Sequence, residues 1–215
     1  MIAFPPLDRL PWLIHGFTLR PDGGEIILKS QGIEWSDLRL AEQVHGNQVA
    51  MVSADNLKSL PATRQAGEIS NLKFPIPGAD GLVTATANVP LGIYVADCCA
   101  VFLVEPRKRA IALLHSGRRG TEENIVHQGM ESLMSLNGGN PSDVVAVLSP
   151  CIHRCCYEVD FVAQIEQQLR NEGVREIWRH PDCTSCRADL YYSYRKEKGR
   201  TGRMLAFAMV TAQVV

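Results

Sequence analysis

The sequence lacks an excess of charge of either sign. Its 215 residues include 22 Lys and Arg against 23 Asp and Glu, so the net charge is −1. A chain with this balance has no general electrostatic attraction to nucleic acid or to an anionic membrane. We therefore expect neither as a partner, and any anionic ligand must be bound by local groups.

Signals for export or membrane insertion are also missing. The first residues, MIAFPPLDRLPW, contain no basic start, no continuous apolar stretch and no small-residue cleavage site. No later apolar run approaches the ~20 residues that a transmembrane helix needs. We expect a cytoplasmic protein.

The cysteines do not form the pattern of a disulfide framework. Seven is an odd number, and two pairs are adjacent in sequence, Cys98-Cys99 and Cys155-Cys156. Disulfide-rich domains are usually small and secreted, with evenly numbered, spaced cysteines. Reduced thiols or metal ligands are the better interpretation.

One group of these cysteines has some of the character of a structural zinc site. Cys183 and Cys186 form a CxxC, and Cys151, Cys155 and Cys156 supply further thiols. Against a zinc site, adjacent cysteines cannot easily serve one tetrahedral ion. We leave the role of these cysteines open at this point.

What the sequence does contain is enough apolar material for a core. Hydrophobic residues make up 46% of the chain, and 215 residues suffice for one large domain or two small ones. The block from Leu82 to Leu114 is rich in strand patterns whose connections are too short for crossover helices. Any sheet there should be antiparallel or mixed.

The chemically most informative stretch is Gly92 to Gly120. Two apolar runs, Ala100 to Val104 and Ala110 to Leu114, are separated by a charged turn, with Cys98 before the first and His115 after the second. If the runs form a hairpin, both side chains lie at the same edge of the sheet. They then form either a nucleophile with its base or two ligands of one metal ion.

A helix is predicted after His115, from about Glu122 to Leu136. Thr121 is a plausible N-cap, and Gly138-Gly139 ends the apolar period. Its amino end and the preceding Ser116 to Thr121 segment would suit a phosphate or carboxylate. The alternative interpretation is a solvated basic turn.

The remaining pattern is less specific. Leu38 to Ala50 reads as two short alternating segments joined by a tight turn that presents His45. Ala54 to Pro77 has no sustained period and is interpreted as a long loop. His15, within a strand, is interpreted as a packed or surface histidine. Further elements are expected as strands at Leu13 to Leu19, Val144 to Leu148, Val174 to Trp178 and the final MLAFAMV, and as helices from Asp160 to Asn171 and from Ala188 to Lys198.

Several local strings resemble one family. QVHGNQV, ADGLVT, ADC, HSGRRG, CCYEV and YSYR followed by TGRM occur in the order seen in YfiH-type proteins. That family is also called DUF152 or the polyphenol oxidase (laccase-domain) family, and is described as purine nucleoside phosphorylases with adenosine deaminase activity. The resemblance covers nearly the whole chain. It implies one α/β (α+β) domain over residues 1–215, with mixed sheets packed as a sandwich and helices outside.

The resemblance also implies a site. The family's His, Cys and His zinc ligands fall on His45, Cys98 and His115. Three ligands leave an open fourth position, which is typical of catalytic zinc, and the Lewis acidity there would activate water or a substrate oxygen. Asp97 is the candidate for orienting a ligand or moving a proton. The candidates for substrate binding are Gln43, Arg119, Tyr157 and Arg195.

The expected substrates are therefore purine nucleosides and phosphate, with adenosine and inosine foremost and methylthioadenosine a further candidate. The sequence departs from the family pattern at Ser116, Arg118, Ser149, His153 and Arg154. These positions bear on the shape of the pocket, because none of them is an implied zinc ligand.

Three other functions remain open. A thiol hydrolase would use Cys98 as nucleophile and His115 as base. A copper oxidase would need several further His-rich motifs, and six scattered histidines argue against it, so zinc is expected rather than copper. A non-enzymatic module would bind zinc without turnover.

Overall fold

Two β-sheets lie face to face in the computed structural model, which describes residues 1–53 and 75–212. The elements in chain order are α1 (Pro5–Asp8), β1 (Leu13–Phe17), α2 (Gly24–Ser30), β2 (Arg39–Leu40), β3 (Val49–Met51), β4 (Gly81–Thr84), β5 (Leu91–Val95), β6 (Cys99–Glu105), β7 (Ala110–Ser116), α3 (Arg118–Glu122), α4 (Ile125–Asn137), β8 (Val145–Leu148), α5 (Phe161–Asn171), β9 (Glu176–Arg179) and β10 (Met204–Val210). Short 3₁₀ turns occupy Trp35–Asp37 and Pro141–Asp143.

Both sheets are mixed, as the sequence predicts. The smaller has the order β1-β10-β5-β2 and the larger β3-β4-β7-β6-β8-β9. The pairs β2–β5, β3–β4 and β8–β9 are parallel, and the other pairs are antiparallel. The predicted hairpin of β6 and β7 lies at the centre of the larger sheet, and its register places Ala100 opposite His115.

The central strands are apolar on both faces because both faces are covered. Along β6, Phe102 and Val104 pack into the core between the sheets, whereas Val101 and Leu103 pack on the opposite side. Side chains alternate across a strand, so a strand buried on both faces reads as a continuous apolar run. This explains why AVFLV and AIALL show no alternation.

Helices cover the outer surfaces of this sandwich. The apolar face of α5, formed by Phe161, Val162, Ile165 and Leu169, packs with α4 in the core outside the larger sheet. On the smaller sheet, Leu28 of α2 packs near Leu205 and Phe207 of β10. The expected α+β sandwich with outer helices is therefore confirmed.

The predicted helix from Ala188 to Lys198 is wrong. This segment forms consecutive turns, because other groups capture the backbone N–H groups that a helix would use. The N–H of Tyr192 donates to Met204 Sδ at 3.0 Å, and that of Arg195 donates to Asp97 Oδ2 at 2.7 Å. These hydrogen bonds to distant residues outweigh the helical preference of the local sequence.

The predicted helix from about Glu122 to Leu136 is present as α4, but it begins at Ile125 and follows a separate short α3. The five-residue α3 ends before Asn124, which adopts φ +57° and accepts a hydrogen bond from His127 N–H at the start of α4. The cap is thus Asn124 and not Thr121. Asparagine tolerates the left-handed conformation better than most residues, and the short α3 offers only a weak dipole to a bound anion.

The two segments within Leu38 to Ala50 do not form a hairpin. β2 pairs with β5 in one sheet and β3 with β4 in the other, so the chain crosses between sheets at His45. Most of the predicted 54–77 loop lies outside the described residues. Its end is described, and Ile76 forms a bridge to Ala41.

No helix in residues 1–53 and 75–212 is long and apolar enough to span a bilayer.

His15 lies in a strand, as predicted, and it is a packed histidine. Its ring is buried in β1, where Nε2 accepts the Phe4 N–H at 3.0 Å.

Candidate metal centre and cavity

Three side chains from separate parts of the chain converge at one end of the central hairpin. The potential ligand atoms of His45, Cys98 and His115 all lie within 4.8 Å of one another. Cys98 directly precedes β6, His115 belongs to β7, and His45 lies where the chain crosses between the sheets. The hairpin pattern predicted that Cys98 and His115 meet, the family resemblance implied His45, and the structure brings the three together.

Asp80 holds the backbone around His45 in an uncommon conformation. Its carboxylate accepts the N–H groups of Val44, His45 and Gly46 at 3.1, 2.9 and 2.7 Å. His45 has φ +62°, a region that side chains other than glycine rarely adopt. Three charge-assisted hydrogen bonds stabilise this turn and direct the His45 ring toward Cys98.

The same carboxylate orients the second imidazole. Asp80 Oδ1 lies 2.8 Å from His115 Nδ1, and Asp80 is fully buried. When Nδ1–H donates to the carboxylate, Nε2 is left free to bind a metal. Burial lowers the pKa of His115, but the side chains of Asp80 and Cys98 outweigh it and raise the pKa to about 9.

Cys98 is prepared to act as a thiolate. Burial raises the pKa of its thiol, but His115 and His45 more than offset burial and lower the pKa to about 6. Gly117 provides the space for the sulfur, because a Cβ at this position would lie 2.7 Å from Cys98 Sγ. A Cys98 thiolate beside a protonated His115 is therefore favoured at neutral pH.

This donor set fits a metal ion. One thiolate and two imidazoles suit zinc or copper, and one of the imidazoles already has the carboxylate partner that is usual for metal-binding histidines. The three residues form a potential metal centre with space for a further ligand. The donor set does not distinguish the two metals.

The candidate ligands line a cavity of about 970 Å³. This volume is at the upper end of the range for small-molecule sites. Part of its lining is cationic and part is aromatic. The cationic residues are Arg118, Arg195, Lys198 and Arg203, and the aromatic ones include Tyr94, Tyr157, Phe161 and Tyr194.

Two predicted substrate-binding residues form one wall of the cavity. The Arg195 guanidinium lies 4.9 Å from the centroid of the Tyr157 ring, and its Nη2 donates to Glu158 at 2.9 Å. Gln43 also lines the cavity, with its side-chain amide bonded to the backbone of Tyr94 in both directions, at 2.6 and 2.8 Å. Gln43 therefore shapes the wall, with one N–H left to donate.

The structure places Arg119 differently from the prediction. In the described part of the chain, Arg118 lines the cavity and Arg119 does not. Arg119 is 67% exposed and pairs with Glu123 at 2.7 Å, one helical turn away. Because adjacent residues of α3 project in different directions, only one of the two arginines can face the cavity.

Asp97 borders the cavity, and both its carboxylate oxygens have partners. Oδ1 accepts the Thr184 hydroxyl and Oδ2 accepts the Arg195 N–H, each at 2.7 Å. Asp97 itself has φ +85°. It joins the segment carrying Thr184 and Arg195 to the residue before β6, Cys98, and its catalytic role stays a prediction.

Asp80 is the functional residue that sequence reasoning missed. Asp80 belongs to the ADGLVT string and directly precedes β4. No local pattern indicates that it contacts His45, earlier in the chain, and His115, later in the chain. Lys198 and Arg203, which line the cavity, were not predicted as site residues either.

The other four histidines lie apart from this centre. The groups that could hold a metal among residues 1–53 and 75–212 include only His45 and His115 of the six histidines. His127 pairs with Glu172 at 2.9 Å. A cluster of several coppers coordinated by many imidazoles has no counterpart in this part of the chain.

Comparison with known proteins identifies the family. The family model described as "Multi-copper polyphenol oxidoreductase laccase" matches residues 24–164 and 158–211. The chain belongs to this family, as the resemblance implied. The family is the laccase-like, DUF152 group, to which YfiH-type proteins also belong.

Curated relatives carry a different activity in their names. "Purine nucleoside phosphorylase YlmD" of Geobacillus stearothermophilus is 31% identical over 198 residues, which cover 77% of this chain and 69% of that protein. "Purine nucleoside phosphorylase SCO2081" of Streptomyces coelicolor is 28% identical over 209 residues, which cover 85% and 79%.

The fold is similar to that of a solved structure. The crystal structure of the hypothetical protein YfiH of Bacillus licheniformis superposes with a TM-score of 0.83 at 21% identity, covering 95% of this chain and 94% of that one. At this identity the likeness concerns the fold alone.

Proposed function

We propose that the protein is a zinc-dependent purine nucleoside phosphorylase that also deaminates adenosine. The observation that carries the proposal is the convergence of His45, Cys98 and His115 at a cavity with a partly cationic lining. The names of the curated relatives supply the substrate class. Small-molecule purine nucleosides and phosphate are the partners that follow from it.

His45, Cys98 and His115 would hold the zinc ion, and Asp80 would fix its ligands. A zinc ion in a three-ligand site supplies Lewis acidity, which acidifies water or polarises a substrate oxygen. A hydrogen bond from His115 Nδ1–H to the Asp80 carboxylate would leave Nε2 as the ligand atom. His115 is buried and Cys98 is half-buried, which limits the access of bulk water to this side of the site.

Phosphorolysis breaks the bond between ribose C1′ and the purine nitrogen while a phosphate oxygen bonds to C1′. The products are ribose 1-phosphate and the free base. Arg118 and Lys198 provide positive charge for the phosphate, and Arg118 can offer paired N–H donors. The rings of Tyr157 and Tyr194 offer apolar surface for a purine in the same cavity.

Deamination of adenosine breaks the bond from C6 to its amino group. Water adds its oxygen to C6, and ammonia leaves with the protons that balance the reaction, giving inosine. Both reactions use a bound purine nucleoside, and phosphate is a reactant only in the first. A phosphate requirement therefore separates them in one experiment.

A second candidate function rests on the charges of Cys98 and His115. A thiol of lowered pKa beside an imidazole of raised pKa is also the arrangement of a cysteine nucleophile with its base. A thiol hydrolase of this kind would lose activity on alkylation and be insensitive to chelators. His45, which a Cys-His pair does not need, favours the metal site.

The proposal is tested by following adenosine and inosine with the protein purified without an affinity tag. We expect adenine or hypoxanthine to form only with phosphate present, and inosine to form from adenosine with or without it. Cys98→Ala leaves two imidazoles, so zinc content and both activities should fall together. The matched control is Cys99→Ser, since Cys99 is buried in the core on the other face of the sheet.

Full turnover by metal-free protein would overturn the zinc mechanism. Absence of nucleoside conversion by fully zinc-loaded protein would overturn the substrate class.

A further inference from the structure

A second group of thiols lies outside the cavity. The sulfur atoms of Cys155, Cys156, Cys183 and Cys186 all lie within 4.8 Å of one another. In the described part of the chain, none of the four belongs to the cavity lining. From this geometry, we propose that these four cysteines bind one structural zinc ion as a Cys₄ site.

The distances suit tetrahedral coordination. With Zn–S bonds of about 2.3 Å, the sulfurs of a tetrahedral site are about 3.8 Å apart. Cys186 Sγ lies 3.5 Å from Cys155 Sγ and 3.4 Å from Cys156 Sγ. The other sulfur pairs also lie within 4.8 Å, so small side-chain rotations would bring all four toward tetrahedral spacing.

The fold delivers the cysteines in two pairs from neighbouring parallel strands. β8 and β9 pair in parallel, and the pairing continues beyond them in a bridge between Cys151 and Cys183. The Thr184 N–H donates to Cys151 O at 3.0 Å, which fixes the two chain segments side by side. The carboxyl ends of both strands thus present their thiols at one edge of the sheet.

A local turn allows the adjacent residues Cys155 and Cys156 to bind the same metal ion. The N–H groups of Cys156 and Tyr157 both donate to His153 O, at 2.9 and 3.0 Å, so Cys155 and Cys156 lie in a tight turn. In such a turn both sulfurs reach Cys186, as the two short distances show. The objection from sequence adjacency therefore does not hold for this backbone.

One sulfur has the surroundings of a metal-bound thiolate. Cys183 Sγ accepts the His153 N–H at 3.4 Å, and the N–H groups of Ser185 and Cys186 also point toward it. Backbone N–H groups directed at the first sulfur of a CxxC turn stabilise negative charge on that sulfur. By contrast, Cys151 is fully buried and belongs to neither cluster of potential ligands.

The site would brace one wall of the cavity. Tyr157 directly follows Cys156, and Thr184, within the CxxC, donates to Asp97 beside Cys98. A metal ion joining these two segments closes a loop of about thirty residues, and such closure stabilises the folded chain because it restricts the unfolded one. The inference is independent of the proposed catalytic activity.

The test is the zinc content of untagged, reduced protein, measured by elemental analysis for each variant. We expect two zinc ions per chain in the wild type and one in the double variant Cys155→Ser/Cys186→Ser, whose positions are exposed and tolerate the change. Cys98→Ser should also contain one zinc ion, bound at the Cys₄ site. Cobalt substitution identifies which ion remains, because four thiolates give a far stronger sulfur-to-metal charge-transfer band than one.

With cobalt, Cys98→Ser should keep nearly all of that band and the double variant should lose most of it. The double variant should also unfold at a lower temperature, and chelator should lower the unfolding temperature of the wild type more than that of the double variant. One zinc ion per wild-type chain, absent from Cys98→Ser, would overturn the inference. Fewer than seven free thiols in denatured, metal-free protein that was never exposed to oxidant would overturn it too, since it would show disulfides in place of a metal site.

Discussion

Asp80 connects two of the three candidate ligands through one carboxylate. It accepts the N–H groups around His45 and lies 2.8 Å from His115 Nδ1. A neutral amide would keep the shape of this group but lose its charge and its second acceptor oxygen. Residues that orient metal ligands in this way typically contribute 10–100-fold to metal affinity.

We therefore expect Asp80→Asn to weaken zinc binding by about 10–100-fold in competition with a chelating dye. The control is Asp143→Asn, a carboxylate that pairs with Arg107 and belongs to neither cluster of potential ligands. Unchanged affinity in Asp80→Asn that folds normally would show that the carboxylate does not support the site.

Gly117 illustrates a residue whose contribution is the absence of a side chain. Its φ of −93° is open to any residue, so the requirement is space alone. A Cβ there would lie 2.7 Å from Cys98 Sγ. Gly117→Ala should displace the sulfur and reduce zinc content at this site, as measured by elemental analysis in the Cys155→Ser/Cys186→Ser background.

Gly24→Ala serves as the control, because its added Cβ would meet nothing closer than 3.4 Å. Equal zinc content in the two glycine variants would mean that the chain near Gly117 relaxes freely.

The two adjacent arginines of α3 provide a matched pair for the phosphate contact. Arg118 lines the cavity, whereas Arg119 is directed to solvent and pairs with Glu123. We expect Arg118→Ala to raise the KM for phosphate about tenfold, equivalent to ~1.4 kcal/mol, since a charge-assisted hydrogen bond contributes about this much. Deamination should hardly change.

Arg119→Ala removes the same charge from the same helix and should change neither reaction. A larger effect of Arg119→Ala on the KM for phosphate would reverse this assignment. Steady-state kinetics of both variants with phosphate as the varied substrate decide between them.

At the residue scale, the sequence and the family resemblance predicted the three candidate ligands His45, Cys98 and His115. The meeting of Cys98 and His115 could be predicted because the pairing of a hairpin fixes which residues lie at one edge of the sheet. The role of Asp80 could not be predicted, because its partners depend on how the segment that crosses between the sheets at His45 packs on β4. Metal binding by the three ligands stays a prediction.

At the scale of elements, helices with strong local signals were predicted correctly. A segment whose backbone N–H groups bond to distant residues was not. The helix α5 begins after its Asp160 cap, which accepts the Ala163 N–H, and it ends at Asn171 as its period indicates. The segment from Ala188 to Lys198 fails as a helix because Asp97 and Met204 accept its N–H groups. Such distant acceptors leave no trace in the local sequence.

The break between α3 and α4 gives a prediction about stability. Asn124 combines φ +57° with a side chain that caps α4. Asn124→Ala loses the cap, at about 1 kcal/mol, and strains the left-handed backbone by about 1 kcal/mol more. Urea unfolding should therefore show a loss of about 2 kcal/mol.

Asn124→Gly should be milder, because glycine tolerates positive φ and costs only a few tenths of a kcal/mol at a cap. If the glycine variant were as unstable as the alanine variant, the left-handed conformation would not be the reason for asparagine at this position.

At the scale of the whole molecule, the sandwich explains where the candidate centre lies. The larger sheet supplies Cys98 and His115 at one end of β6 and β7, and the crossing between the sheets supplies His45. The strand pattern predicted an apolar sheet that is antiparallel or mixed, and the family resemblance implied mixed sheets packed as a sandwich. The assignment of β2 and β5 to a second sheet depends on long-range pairing, which strand propensity does not specify.

The central claim is that residues 45, 98 and 115, distant in sequence, bind one zinc ion. The most direct measurement is a crystal structure of untagged protein with anomalous diffraction recorded on both sides of the zinc absorption edge. We predict a zinc peak about 2.0–2.1 Å from a ring nitrogen of His45 and of His115 and about 2.3 Å from Cys98 Sγ. Zinc-loaded crystals without a peak between these three side chains would contradict the account.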